Sequence, residues 1–434
     1  MFENTLQNIM AKFLEQMSKA EQAKMLPMVN NFSWLLMEEI AQRAKNGNPL
    51  YAPEGTTRKN YPDFRDLVFL PKQMKELPLE RDAQIDTQVK IGLNCPKPLE
   101  ISMPLMITGM GYGVSVSMEI KKAMARAAKL AQTAVNSGEA GFIPEERELA
   151  DKYIVQYNRG KWGNTPQELQ QAEMIEVKVG QGASASDGFE VKYEEAGEHL
   201  RRHLEMKSGQ DAVCPNTFPE VKGPGDWKKL VQSIKEINPD VPVVVKIAAG
   251  DLAGDLDAAI EAGFDGIVLD GGGGGTAYSL ELTINNFCIP LVYAIPKAHE
   301  YLVKKNVRKK IALIAAGGAH SPGDFLKALA LGADAVYVGQ PSLVALTYFQ
   351  LEKMPVGTNP TQLFLYTGKH TDQLNVDEAA QHLANFLQAA VTEMQMAARL
   401  LGKGALRDIT KTDLVALQPE VAEVTGVKYV SYLS

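Results

Sequence analysis

Residues 311–340 read IALIAAGGAHSPGDFLKALALGADAVYVGQ. A buried-type apolar run ends in Gly317-Gly318, an amphipathic segment covers 322–331, and a second apolar run, 335–338, ends in Gly339 and Gln340. Backbone approaches an anion closely only where no Cβ intervenes, and amides at a turn or a helix start then point at it. Two glycine-ended strands one helix apart therefore predict a phosphate site, the one a (β/α)8 barrel builds from the loops after its seventh and eighth strands. Two ordinary strand ends of an α/β protein are the other reading of the same residues.

Upstream, further short apolar runs extend the pattern: PLMITG (104–109), QTAVNSG (132–138), MIEVKVG (174–180), DAVCP (211–215), VPVVVKIA (241–248) and FDGIVLDG (264–271). Helical i, i+3, i+4 apolar spacing covers 117–130, 226–236, 252–262, 290–304 and 322–331. Strands buried on both faces and separated by helices predict a parallel α/β architecture, and eight of them favour a closed TIM barrel. An open doubly wound sheet is the runner-up, but no GxGxxG opens a helix after the first strand. The gap 141–171 is read as a long insertion on the catalytic face.

Residues 1–100 read as helical segments to about residue 46, then a proline-rich extended arm; 101–345 are the barrel, and 346–434 a loop and helical extension with a long helix over 376–401. The net charge of -7 over 434 residues, with one short basic run KKNVRKK at 304–310, argues against a nucleic-acid partner. Cys95, Cys214 and Cys288 form no CxxC, so neither a disulfide framework nor a metal site is expected. The apolar stretch FSWLLMEEIA from Phe32 is broken by Glu38 and Glu39, too soon to span a bilayer, and a cytoplasmic protein is expected.

The carboxyl ends of barrel strands share one rim. They present Met110 and Gly111, Asn136 and Glu139, Lys178 and Gln181, Lys246, Asp270 with Gly271, Gly274 and Gly275, and the phosphate loops. A cation inside VPVVVKIA needs an anionic partner or loses its proton. Lys246 can face the N1/C2 edge of a flavin, where negative charge develops on reduction, or pair with Asp270 across neighbouring strands. The glycine run 271–275 suggests backbone brought up to a bulky ligand, or a lid hinge. Glu139, Lys178 and Gln181 are candidates for binding or protonating a small polar substrate; surface ion pairs are the plainer reading of the first two.

These segments resemble the FMN-binding domain of glutamate synthases. FRDLVFLP from Phe64 is shared, PLMITGMGYG is similar to the family's isgMSFGALS, NSGEAG to SNTGEGGE, IEVKVGQGA to IEIKxAQGAKPG, and DGGGGGTA to SGHDGGTGA. VVVKIAAG matches the strand of the flavin lysine, and AAGG and YVGQ match the flavin phosphate loops. The resemblance implies FMN held by Met110, Gly111, Asn136, Lys246, Asp270, Gly271, Gly274, Gly275, Gly317, Gly318, Gly339 and Gln340. It places Glu139, Lys178 and Gln181 in a 2-oxoglutarate or iminoglutarate pocket.

The chain also departs from the family. Ser184 replaces a lysine, Glu190 a neutral amide, and only Arg201 or Arg202 stands near the substrate arginine, so the pocket is expected to be more negative and to disfavour a dianion. No cysteine lies between Gln340 and Pro360, so no Fe-S cluster is expected there. The family's glutaminase domain is not expected either. The expectation is an FMN-dependent oxidoreductase acting on an amino, imino or oxo acid, homo-oligomeric, with a redox or amidotransferase partner subunit. An electron-transfer flavin subunit, or a 2-hydroxy acid oxidoreductase with His320 as base, are the alternatives.

Overall fold

Alternation along each apolar run decides which side chains face the barrel axis and which face the surrounding helices. The computed structural model describes residues 34–51, 61–277 and 279–432. Its parallel strands, numbered here for the barrel alone, are β1 (Leu105–Ile107), β2 (Val135–Asn136), β3 (Tyr153–Tyr157), β4 (Met174–Lys178), β5 (Val243–Ala248), β6 (Gly266–Asp270), β7 (Ala312–Ala316) and β8 (Ala335–Val338). They close in sequence order, with β8 returning to β1 through Val338 opposite Ile107.

Inside the barrel Met106, Ile154, Met174, Val244, Val268 and Ile314 form an apolar layer. Ile91, Leu99 and Ile101, from the hairpin pairing Val89–Ile91 with Leu99–Ile101, join that layer. The Lys97 N–H bonds the Asp240 carbonyl just before β5, so this hairpin plugs the amino end and leaves the carboxyl rim for chemistry. Outside, helices Met118–Leu130, Asp226–Ile237, Leu252–Ala262, Leu291–Lys304 and Pro322–Ala330 bury their apolar faces against the strands. The 25-residue helix Val376–Leu400 packs on Met118–Leu130 and contributes Leu383, Leu387 and Met394 to the same core.

The arm of residues 61–100 is fastened through its backbone. Leu67–Phe69 pairs antiparallel with Leu414–Ala416, and the Lys72 and Leu79 amides bond the carbonyls of Leu400 and Arg399, each at 2.9 Å. Residues 1–51 form a separate unit, in which helix Trp34–Asn46 ends with Arg43 and Lys45 in its last turn, where cations suit the helix dipole. The remainder of the expected N-terminal helical segments lies outside the described residues.

Two strand assignments need correction. DAVCP is no barrel strand: Ala212–Cys214 pairs antiparallel with Phe189–Val191, and Val213 is 56% exposed. The third strand is YIVQY at 153–157, inside the stretch read as an insertion. Its Gln156 faces inward, and a polar residue at an inward position breaks the apolar run that marks a buried strand. The long excursion on the rim is therefore 179–242, between β4 and β5. After β8 the chain enters helix Gln340–Leu351 directly, where the sequence suggests a loop.

Candidate active site

Alternate residues at the carboxyl ends of the strands point inward and stack above the apolar layer. Asn136 on β2, Gln156 on β3, Glu176 on β4, Lys246 on β5, Asp270 on β6 and Tyr337 on β8 form a buried polar layer. Lys246 Nζ lies 2.9 Å from Asp270 Oδ2, so the ion-pair reading holds as geometry. Burial alone would lower the lysine; the charges of Asp270 and Glu176 outweigh it and hold Lys246 above its ordinary value. Gln156 Nε2 donates to Glu176 Oε1 at 2.7 Å, and Asn136 Nδ2 to the Tyr337 hydroxyl at 3.1 Å. Burial and the charge of Glu176 push the Tyr337 hydroxyl well up, so it stays protonated.

A second cluster sits at the mouth. Lys178, in register with Lys246 on the next strand, places Nζ 2.5 Å from Glu139 Oε2. Arg159, in the loop after β3, reaches Glu139 Oε1 at 3.3 Å. Burial would raise the Glu139 carboxyl, but Lys178 and Arg159 overcome it and hold the carboxyl below the usual range. Burial lowers Lys178, and Glu139 offsets only part of that because Lys246 and Arg159 add repulsion. Two adjacent lysines are thus pushed in opposite directions.

The loops explain the glycines. Gly317 and Gly318 hold φ of +78° and +81°, a region costly for residues with a Cβ. A Cβ on Gly271 would fall 2.6 Å from Leu291, and one on Gly275 would fall 2.6 Å from Gln340 Nε2. Leu291 backbone accounts for the glycine at 271, while at 275 the neighbour is the end of a flexible glutamine side chain. Helix Gln340–Leu351 starts from Gly339 with no side-chain cap, whereas Pro322–Ala330 is capped by Ser321. Pro341 in that first turn has no N–H and the Ser342 N–H bonds the Gly339 carbonyl at 2.8 Å, so the β7 and β8 turns themselves would supply an anion's donors.

The structure unites Glu139, Lys178, Lys246 and Asp270. Gln181 lies in the tight turn after β4, its N–H on the Ala185 carbonyl at 2.9 Å. The Asn136 amide is engaged internally, its Oδ1 accepting the Gly138 N–H at 2.9 Å. The Met110 carbonyl accepts a hydrogen bond from Lys121. Arg201 and Arg202 do not serve this site: Arg201 lies over the Tyr193 ring, and Arg202 is exposed and pairs with Glu198. Glu190 also points away, onto Lys192 at 2.8 Å, so the added negative charge inferred from it is neutralised outside the cluster. His320 is exposed, and its backbone N–H donates to the Asp324 carboxylate at 3.1 Å.

The sequence missed Arg159, Gln156 and Tyr337, and it missed the wholly buried pair Lys121–Glu146 at 2.8 Å. The Lys121 ammonium also donates to the carbonyls of Met110 (3.0 Å) and Ser137 (2.9 Å), tying the first two rim loops together from behind. Lys121 was discoverable as a cation on the apolar face of helix Met118–Leu130; Arg159 carried no such signal.

Lys246 offers a fixed cation, the β7 and β8 loops offer backbone amides, and Gln156 Oε1 is a buried acceptor without a hydrogen-bond partner among the described residues. No group of metal-ligating side chains is found among the described residues.

Fold and site together define a (β/α)8 barrel with ion pairs buried at its carboxyl rim, the face on which such barrels carry their chemistry. The sequence profile described as "Conserved region in glutamate synthase" matches residues 40–404, and the chain belongs to the glutamate synthase family. A glutamate synthase large subunit-like protein of Rhizobium meliloti (strain 1021) is 31% identical over 411 residues, covering 90% of this chain and 92% of the relative. An archaeal-type glutamate synthase (NADPH) of Thermotoga sp. (strain RQ2) is 32% identical over 392 residues, 85% of this chain and 77% of that one. Among solved structures, a lactate oxidase of Pediococcus acidilactici aligns with a TM-score of 0.53 at 16% identity, covering 82% of this chain and 84% of that one. A mandelate oxidase mutant with an FMN adduct aligns at 0.50 and 16%, covering 80% and 87%. At that identity the two structures show the fold alone.

Proposed function

We propose that this chain is an FMN-dependent oxidoreductase of the glutamate-synthase type, acting on an amino or oxo acid. The carrying observation is the pair of neighbouring lysines with opposed environments, Lys246 bound to Asp270 and Lys178 bound to Glu139, on one rim. The flavin, when bound, supplies hydride transfer to or from the α-carbon of the substrate. Gly317, Gly318, Gly339 and Gln340 would hold its phosphate; Met110, Gly111, Gly271, Gly274 and Gly275 would line the ring, and Lys246 would lie against the edge that gains charge on reduction. Lys246 remains a cation because Asp270 and Glu176 hold its proton. Lys178, whose burial favours the neutral amine, is the group placed to exchange a proton with substrate nitrogen or oxygen. Glu139 orients Lys178 and offers a partner for a substrate ammonium, with Gln181 completing the mouth.

In this reading residues 101–345 are the catalytic body, braced by the arm and by residues 346–434. No described helix is long and apolar enough to cross a membrane; the enzyme proposed here is cytoplasmic and homo-oligomeric. Electrons reach the flavin without a cluster after β8, since 340–360 contain no thiol, and a redox or amidotransferase partner subunit completes the system. The test is the visible spectrum of the purified chain, with FMN added where needed, followed by anaerobic titration with a panel of amino acids. Flavin bands that bleach with one of them support the reading; a chain that takes up no FMN overturns it.

A further inference from the structure

Arg159 is 97% buried yet belongs to no apolar surface, and its guanidinium is divided between two parts of the molecule. Nη2 reaches Glu139 Oε1 and the Asp187 carbonyl (2.9 Å), and Nη1 donates to the carbonyls of Ser186 and Asn216, the latter at 3.0 Å. Ser186, Asp187 and Asn216 all belong to the 179–242 insertion and flank its hairpin of Phe189–Val191 and Ala212–Cys214. The planar fork of a guanidinium spreads five donors over three nitrogens and reaches acceptors that lie apart, whereas an ammonium carries three donors on one atom. Glu139 is held from both sides, one oxygen by Lys178 and the other by Arg159.

We propose that Arg159 is a positioning residue for the reaction: anchored by three carbonyls of the insertion, it fixes the Glu139 carboxylate opposite Lys178, so that Glu139 is set only when the insertion is seated on the rim. The reaction itself rests on the function proposed above, but the coupling of Arg159 to Glu139 does not. The charged and titratable groups facing Glu139 are Lys178 on β4, Arg159 after β3, Lys246 on β5 and the Cys214 thiol of the hairpin. Burial raises Cys214 to about 11, so it is neutral at physiological pH, and the three cations set the field at Glu139.

The full chain is labelled with carbon-13 at glutamate carboxyls, and the Glu139 signal is assigned by its loss in Glu139→Gln. Arg159→Met is expected to move the Glu139 titration midpoint up by about one pH unit or more, tenfold in proton affinity. Arg159→Lys, which keeps the charge, is expected to restore most of that shift while melting earlier than the parent for want of the carbonyl bonds. Arg159→Gln covers the case in which Arg159→Met does not fold: it keeps an amide for the insertion carbonyls but removes the charge, and the Glu139 midpoint is expected to rise as in Arg159→Met. An unmoved midpoint in the charge-removing variant, or an equal shift in Arg159→Lys, overturns the assignment. The measurement needs no substrate or turnover, so failure of the oxidoreductase reading and failure of this one are separable.

Discussion

Lys246→Met removes the cation at the centre of the polar layer and leaves the Asp270 carboxylate 10% exposed without its partner. At 2.9 Å the Coulomb attraction of the pair at an effective dielectric of ~20 is about 6 kcal/mol. Desolvation cancels much of that in the intact pair, but truncating one side of a buried pair exposes the other's penalty, about 3–5 kcal/mol. Glu176 adds to the cost, since Lys246 is its nearby counter-charge as well. The measurement is urea unfolding of Lys246→Met, Asp270→Asn and the double variant, compared through the midpoint at unchanged slope. The double variant is expected to recover about 2 kcal/mol or more of what the single lysine variant loses. The pH dependence has a definite sign. A lysine raised above 10.5 by folding contributes stability that is fully present below 10.5 and lost as pH rises through its folded value. The deficit of Lys246→Met is therefore flat from neutral pH to about 10 and shrinks above it. A loss under about 1 kcal/mol, or an Asp270→Asn change that adds to the lysine variant instead of offsetting it, would refute the reasoning.

Gly138→Ala places a Cβ 2.4 Å from the Gly111 nitrogen at a φ of +75°, and a loss of about 2 kcal/mol or more together with weaker FMN uptake is expected, read by denaturant midpoint and flavin titration. Glu139, lowered by Lys178 and Arg159, contributes stability present above its unfolded value near 4.5 and lost as pH falls through the folded one; the midpoint difference between parent and Glu139→Gln should therefore narrow only in that acid range. Arg201→Ala and Glu190→Gln, both remote from the mouth, should leave substrate bleaching of the flavin within about twofold of the parent, stability changes staying near 0.5 kcal/mol.

The periodic apolar runs and their glycine ends determined the barrel from sequence alone, because a strand buried on both faces must be apolar and a turn at φ near +80° excludes side chains. The cation of VVVKIA was legible for the same reason: charge inside a core strand demands a partner, and Asp270 ends the neighbouring strand. Family likeness in the rim motifs carried the family assignment, and the family profile over residues 40–404 bears that assignment out. YIVQY escaped because its inward Gln156 finds its partner, Glu176, on the next strand, a pairing that exists only once the barrel closes. Arg159 escaped because a surface arginine and a buried one look alike in sequence until backbone carbonyls from some 30 to 60 positions away converge on it. Conversely, Arg201 and Glu190 looked like site residues by order along the chain, and the 179–242 excursion turns both toward partners of their own. Sequence determined which apolar side chains must be buried; tertiary structure alone decided which polar ones are and which charges meet, because ion pairs across strands and loops depend on chain reversals that local pattern does not encode.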